Sequence, residues 1–209
     1  MLRIEEHSNR EEWLAARDGH IGASEAASVI GIGFMTTREL WEIKTGQKKA
    51  PDLSDRELVA YGNRAEGPLR DLFMVKHPEL ELEYRPYDFL YQDDRPWLRA
   101  TLDGILTDGD RTGILEIKTA TPNSKAEWDE WRDQIPLKYN AQISHQFLAT
   151  GFDFAVVFAE LHGRSEYVLR EYWYEREDMT DNMEYLLGKE EAFWGSVQKR
   201  RIPPMPLRL

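Results

Sequence analysis

The chain has 209 residues, of which 38 are acidic and 27 basic, and its formal net charge is −11. Its length fits one α/β domain, so we expect a single domain over residues 1–209. Because the chain has no cysteine, its composition excludes a disulfide-stabilised scaffold, a thiolate zinc site and a cysteine nucleophile.

Targeting signals are missing from the sequence pattern. The opening segment MLRIEEHSNREEW carries acids where a signal peptide needs an apolar run. No stretch approaches the roughly 20 apolar residues that a bilayer-spanning helix requires. We therefore expect a cytoplasmic protein without membrane contact. The negative charge is only weak evidence against a nucleic-acid partner, because such a partner needs basic side chains at one place rather than over the whole surface.

Serine and threonine mark four helix starts in the first part of the chain, most of them as capping boxes with Glu three residues later. These starts are Ser8, for a helix ending near Asp18; Ser24, for the short run ASVIG; Thr36, for TTRELWEIKT; and Ser54, for a helix reaching His77. A polar link over residues 48–54 precedes the last of them.

From Leu80 onward the pattern favours strands, because branched and aromatic residues dominate. The predicted strands are ELEYRPYDFLYQ, WLRATLDGILT and RTGILEIKT, followed by the pair FDFAVVFAEL and EYVLREYWYE around His162-Gly163. Two further helices are predicted, from Pro136 to Gly151 and from Asp178 to about Arg201. Together these elements predict a mixed sheet flanked by helices, in the fold class α/β or α+β.

The segment GILEIKT places Glu116 and Lys118 two residues apart in an apolar strand, where both side chains lie on one face. Acid-x-Lys triplets occur by chance at about the observed frequency, so the motif alone is weak. The other triplet, Glu42 to Lys44, falls in a predicted helix, where such residues do not share a face, and it is discarded. A solvated ion pair is the alternative interpretation of the strand triplet.

The hairpin before this strand adds a second carboxylate. If Asp108-Gly109 forms a two-residue turn, Thr101 lies opposite Glu116 and Asp103 lies diagonal to it. Asp103, Glu116 and Lys118 then share one face, and a one-residue change of register would separate them. Carboxylate oxygens in this arrangement suit Mg²⁺ or Mn²⁺, so the sequence predicts metal-assisted phosphodiester hydrolysis with Lys118 beside the attacking water.

Five segments in this order resemble a known family: ARDGHIGASEAASVIG, GNRAEGPLRDLF, RATLDGIL, GILEIKT and KYNAQISHQ. The chain resembles the lambda exonuclease and YqaJ-like viral recombinase family of the PD-(D/E)XK nuclease superfamily. The resemblance implies a restriction-endonuclease-like fold. It also implies Mg²⁺ held by Asp103, Glu116 and the main-chain carbonyl of Ile117, with Glu66 beside the metal site and Lys118 near the attacking water.

The same resemblance implies a grip on the 5′-phosphate of a DNA end by Arg17, Ser24 and Thr101. Arg17 and Ser24 flank a glycine-containing bend that leads into a predicted helix, where free N–H groups suit a phosphate. The alternative is that Ser24 only caps a helix, that Arg17 is an ordinary surface cation, and that Glu66 is an ordinary helix glutamate.

Polar side chains recur on one face of the helix after Pro136. Tyr139, Gln142 and Gln146 are three and four residues apart. The resemblance places Gln142 in the active site, near the water or the scissile phosphate. His145 in the same helix is interpreted as structural.

The residues predict a metal-dependent nuclease, and the resemblance implies a 5′-to-3′ exonuclease that leaves a 3′ single-stranded overhang for recombination. The resemblance implies a ring-shaped homotrimer around DNA, a single-strand annealing protein as partner and, for a phage-encoded chain, a location in the bacterial host cytoplasm. Two alternatives stay open. One is an endonuclease of the restriction or junction-resolving type on the same core, and the other is an acidic, non-catalytic DNA mimic or scaffold.

Overall fold

A computed structural model describes residues 1–53, 55–163 and 167–204. The strands are β1 (Leu2–Glu5), β2 (Ile21–Gly22), β3 (Glu81–Glu83), β4 (Phe89–Gln92), β5 (Leu98–Arg99), β6 (Gly104–Asp108), β7 (Arg111–Ala120), β8 (Phe154–His162) and β9 (Tyr167–Glu175). The helices are α1 (Arg10–Ala16), α2 (Ala26–Val29), α3 (Thr37–Lys44), α4 (Glu57–Lys76), α5 (Lys125–Glu130), α6 (Leu137–Thr150) and α7 (Thr180–Gln198).

Five strands form the central sheet in the order β3-β6-β7-β8-β9. The central pair β7 and β8 is parallel, and the other neighbours are antiparallel. A parallel pair needs a long crossover, which here carries α5 and α6. The sheet is therefore mixed and has helices on its faces, which confirms the predicted fold class.

The alternation of β7 separates its side chains between the two faces of the sheet. Leu115 and Ile117 are buried in a cluster with residues of α4, including Phe73. Ile114 belongs to the other cluster, which contains residues of α6 and α7. Successive strand side chains point to opposite faces, so Glu116 lies on the α6 side with Ile114. Helix α4 therefore covers the face of β7 that carries Leu115 and Ile117.

The predicted hairpin turn was wrong by one residue. Asp108 pairs with Arg111, so the two turn residues are Gly109 and Asp110. Gly109 has a φ of +59°, and a glycine at the first turn position is what one common hairpin turn requires. The pairing moves each partner by two residues, so every side chain keeps its face. The predicted placement of Asp103 on the face of Glu116 therefore survives the error.

Helix caps agree with the sequence only in part. Thr36 caps α3 through the predicted box with Glu39. Asn9, not Ser8, caps α1, because the Asn9 side chain accepts the amide of Glu12 at 3.0 Å. Ser24 lies inside a 3-10 turn before α2 and does not cap it. The predicted cap Ser54 lies outside the described residues, and α4 begins at Glu57.

Residues 81–92 form two strands rather than one. Pro86 lies between β3 and β4, and Tyr87 adopts a φ of +70°, which a continuous strand does not allow. β4 pairs with the unpredicted N-terminal strand β1. β2 pairs with β5, which joins the segment near Ser24 to the segment before Thr101.

The C-terminal helix α7 packs against α6 through buried side chains such as Met183 and Leu186. It is shorter at both ends than the predicted helix. Residues 164–166, between β8 and β9, and residues 205–209 lie outside the described residues. None of the described helices combines the length and the apolar character needed to cross a membrane.

Candidate active site

Glu116 on β7 is the centre of a hydrogen-bonded network with α6. Lys118 Nζ lies 2.5 Å from Glu116 Oε1 and donates to Gln142 Oε1 at 2.9 Å. Gln142 Nε2 donates to Glu116 Oε1 at 2.6 Å, and Gln146 Nε2 donates to Glu116 Oε2 at 2.5 Å. The structure thus brings together the predicted residues Glu116, Lys118 and Gln142. It adds Gln146, which sequence reasoning noted only as a neighbour on the same helix face.

Asp103 joins this network from the end of β6. Its Oδ2 accepts the main-chain N–H of Ile117 at 2.7 Å. Its main-chain carbonyl accepts from Arg70 Nε at 2.7 Å, and the Arg70 guanidinium lies 3.6 Å from the ring centroid of Tyr84. The Asp103 carboxylate is therefore fixed beside β7, at Ile117, the residue between Glu116 and Lys118. Arg70 was not among the residues that the sequence analysis assigned to the site.

Two carboxyl groups of this site, those of Asp103 and Glu66, have raised pKa values. Burial raises the pKa of Asp103 well above its usual range, and the charges of Glu116 and Glu66 add to the effect. Burial also raises the pKa of Glu66, to which Glu116 contributes. Burial opposes the charge of Lys118, but Glu116 and Asp103 hold the pKa of Lys118 above its ordinary value. One ammonium group thus faces three crowded carboxyl groups.

This donor set fits a divalent metal ion in its chemistry. Crowded carboxylates are oxygen ligands that Mg²⁺ prefers, and a cation would relieve their mutual repulsion. Asp103, Glu116 and Glu66 supply such oxygens. Ile117 follows Glu116 in β7, and its main-chain N–H donates to the Asp103 carboxylate. In the described part of the chain, no three His, Asp or Glu side chains are already gathered as a metal-binding group. The Glu116 side chain is instead bound by Lys118, Gln142 and Gln146.

The three predicted phosphate-binding residues also lie together. Arg17 Nη2 donates to the Ser24 hydroxyl at 3.4 Å. The Arg17 guanidinium lies 4.8 Å from the ring centroid of Trp13, and the Trp13 indole N–H donates to the Thr101 hydroxyl at 3.0 Å. Trp13 therefore connects Arg17 and Thr101, a role that its place in a helix did not predict. Thr101 is two residues from Asp103, so the two groups of side chains are joined through one short segment.

A buried ion pair that sequence reasoning missed holds the phosphate segment. Lys44 Nζ lies 2.8 Å from Glu25 Oε2 and donates to the main-chain carbonyl of Arg17 at 2.8 Å. Glu25 Oε2 also accepts the main-chain N–H of Gly22 at 2.8 Å. Lys44 belongs to the triplet that was discarded because residues two apart in a helix do not share a face. Its position three residues after the buried Trp41 of α3 was the available signal that its side chain points inward.

Residues 12–153 match the family described as the YqaJ-like viral recombinase domain. A curated relative, the Bacillus subtilis (strain 168) protein YqaJ, is 29% identical over 194 residues. The matched region covers 89% of this chain and 56% of the relative, so the chain spans about half the length of that protein.

Two solved structures resemble the whole fold. An alkaline exonuclease (LHK-Exo) from Laribacter hongkongensis superimposes with a TM-score of 0.65 and 18% identity, covering 91% of this chain and 94% of that chain. A phage related exonuclease from Haemophilus somnus 129PT has a TM-score of 0.57 and 12% identity, covering 87% of this chain and 96% of that chain. These likenesses establish the fold, a mixed sheet of the PD-(D/E)XK type with helices on both faces.

Proposed function

Because the chain belongs to the YqaJ-like viral recombinase domain family, we propose that it is a metal-dependent nuclease that degrades one strand of linear duplex DNA from a 5′-phosphorylated end. One observation carries the proposal. The cluster of Arg17, Ser24 and Thr101 leads through two residues of chain into the cluster of Asp103, Glu116 and Lys118. A terminal phosphate held by the first cluster would place the next phosphodiester bonds near the second.

In this mechanism Asp103, Glu116, the Ile117 carbonyl and Glu66 would hold Mg²⁺, with Mn²⁺ as a substitute. A metal at this place would supply Lewis acidity toward a phosphodiester and would make water more acidic. Lys118 orients the attacking water and stabilises the negative charge that develops on the phosphate. Gln142 holds Lys118 and Glu116 in place by the two hydrogen bonds that it makes between them.

The 5′-phosphate end preference is the role of Arg17, Ser24 and Thr101 in the proposal. A guanidinium is a strong phosphate donor because it presents several N–H groups in a fixed plane. The Trp13 ring lies 4.8 Å from the Arg17 guanidinium and helps to hold it in place. Selective removal of nucleotides from the 5′-terminated strand would leave a 3′ single-stranded overhang for recombination. In this proposal a single-strand annealing protein is the partner that receives the overhang, and the reaction takes place in the bacterial host cytoplasm.

A ring-shaped homotrimer is part of this proposal. A closed ring around DNA would keep an acidic chain with a net charge of −11 on its substrate without a strongly basic surface. Non-specific affinity for DNA otherwise depends on the number of phosphates that a protein neutralises.

The decisive experiment digests linear duplex DNA labelled at the 5′ or the 3′ end, with and without Mg²⁺, beside a covalently closed circle. We expect metal-dependent release of 5′-terminal mononucleotides and an intact circle. Nicking of the circle would assign the site to an endonuclease. No cleavage in Mg²⁺ or Mn²⁺ would favour the acidic DNA-mimic alternative.

A further inference from the structure

Phe34 is held in solvent by a fixed loop between α2 and α3. Its side chain is 82% exposed. The loop is bound to α2 by the Ile32 amide, which donates to the Ala27 carbonyl at 2.9 Å. Gly33 lies so close to α2 that an added Cβ would come within 2.2 Å of the Ser28 hydroxyl. The backbone thus presents Phe34 to water and forgoes the stabilisation that burial of an aromatic ring provides.

A line of alternating rings and ammonium groups connects Phe34 to the candidate active site. Lys138 Nζ lies 4.7 Å from the ring centroid of Phe34 and 5.0 Å from that of Tyr139. The Tyr139 ring also lies 4.9 Å from Lys118 Nζ. Lys138 and Tyr139 are adjacent residues at the start of α6, so the line follows the helix that also carries Gln142.

An apolar cleft borders the same residues. It has a volume of about 460 Å³ and is lined by Ile32, Ile135, Leu137 and Lys138, with Glu130 and Gln134 also on its wall. Leu137 is 71% exposed. Apolar contact area beside a cation is what a nucleotide requires, because the base offers a flat ring and the backbone a negative charge.

We propose that Phe34 and Lys138 form a DNA-binding subsite, in which a base stacks on the Phe34 ring and a backbone phosphate contacts Lys138 Nζ. The subsite rests on the proposed nuclease function for its purpose, since it would guide a strand toward Lys118. A second copy of the chain is a weaker candidate for the occupant, because lysine is depleted from the centres of protein interfaces.

The chain offers a matched control on another surface. Tyr185 of α7 is 58% exposed, and Lys189 Nζ lies 5.3 Å from its ring centroid. This pair has the same chemistry as Phe34 with Lys138, but it lies on the outer side of a helix and has no ring or ammonium group leading toward Lys118 among the described contacts. Substitutions there measure the general effect of losing an exposed ring near a lysine.

The first test measures the rate of nucleotide release from 5′-phosphorylated linear duplex DNA. We expect Phe34→Ala to raise KM about tenfold, the loss typical of one base–aromatic stack, while kcat changes less than about twofold. Phe34→Trp should keep the wild-type KM because it keeps a stacking ring. Tyr185→Ala should also keep it. An unchanged KM in Phe34→Ala would overturn the subsite while the nuclease function stands.

The second test is independent of cleavage. Fluorescence anisotropy follows a labelled oligodeoxythymidylate of about 12 nucleotides without metal, since this length covers a typical single-strand site. We expect Phe34→Ala and Lys138→Met each to weaken binding about tenfold, with wild-type melting temperatures. If the wild type fails to cleave DNA but binds this probe through Phe34, the nuclease proposal fails and the subsite stands. Unchanged binding with a changed sedimentation mass in Phe34→Ala would identify an interface between copies and overturn the subsite.

Discussion

At Glu116 two carboxylate oxygens receive donors from three side chains, Lys118, Gln142 and Gln146. Charge-assisted hydrogen bonds of this kind are stronger than neutral ones. They fix the orientation of a carboxylate whose side chain is only 5% exposed. The site is therefore organised by β7 and α6 before any metal binds.

Lys118→Ala should lower kcat at least about 100-fold, because it removes the group that stabilises charge developing on the phosphate. Release of labelled mononucleotides measures the rate, and circular dichroism checks that the fold is kept. Lys125→Ala, on the exposed first turn of α5, is the control and should cleave at the wild-type rate. Near-normal cleavage by Lys118→Ala would contradict its role.

The pair of Lys44 and Glu25 gives a second prediction at this scale. Lys44→Met leaves Glu25 buried without its cation and should destabilise the fold by about 3–5 kcal/mol. The double variant Lys44→Met/Glu25→Gln removes both charges and should recover much of this loss. Both variants release the Arg17 carbonyl from the Lys44 ammonium, so both should lose preference for phosphorylated over hydroxyl 5′ ends.

Thermal melting measures the first effect, and the ratio of cleavage rates on the two ends measures the second. Arg17→Ala is the reference, since it should lose the end preference without the loss of stability. A double variant with wild-type end preference would show that the ion pair serves folding alone.

At the scale of elements, α7 is fixed to α6 by a buried histidine. His145 Nδ1 lies 2.7 Å from Glu190 Oε1, its Nε2 lies 2.9 Å from the Arg99 carbonyl, and neither charged side chain is exposed. The interpretation of His145 as structural agrees with these contacts. Because α6 also carries Gln142 and Gln146, this pair supports the helix that organises the candidate site.

The stability of the fold should depend on pH through this pair. Burial opposes the charge of His145, but Glu190 and the Arg99 carbonyl raise the pKa of His145 above 6.5. A histidine whose pKa is higher in the folded than in the unfolded protein stabilises the fold fully at a pH below its unfolded pKa of about 6.5. This stabilisation is lost as the pH rises through the pKa of the folded protein. The free energy of unfolding should therefore fall on the alkaline side, and Glu190→Gln should flatten that fall in urea titrations at a series of pH values.

His20 acts in the opposite direction. Burial, with Lys44 nearby, lowers the pKa of His20 to about 2. The stabilisation that neutral His20 gives the fold is therefore complete above the pKa of an unfolded histidine, about 6.5, and is lost as the pH falls below that value. Glu190→Gln should leave this acid limb unchanged. If the free energy of unfolding of Glu190→Gln fell with rising pH as steeply as that of the wild type, groups other than His145 would cause the fall.

The sequence predicted elements well where a local signal and the tertiary packing agree. Thr36 and the strand GILEIKT are such cases, since the capping box and the apolar alternation are satisfied locally. Ser8 and Ser24 fail because a neighbouring residue or a 3-10 turn takes the cap. The contacts of Trp13 with Thr101 and of Lys44 with Glu25 bring together distant parts of the chain, and no local pattern encodes them.

At the scale of the whole molecule, charge and function are distributed unevenly. The chain carries a net charge of −11, while Lys44 binds the Arg17 carbonyl and both Lys118 and Lys138 lie against the Tyr139 ring. We expect a sedimentation mass of three chains and processive digestion in the presence of excess unlabelled trap DNA. A monomer that digests processively would remove the ring from the proposal.

The indole of Trp13 divides the molecule into two tasks. Arg17 and Ser24, in the first 50 residues, supply most of the groups that would recognise a DNA end, and the chain after α4 begins supplies Thr101 and the groups that would break the bond. The Trp13 hydrogen bond to Thr101 joins them across the chain. Evolution can therefore alter which ends are accepted by changing the first part, while the reaction centre keeps its geometry.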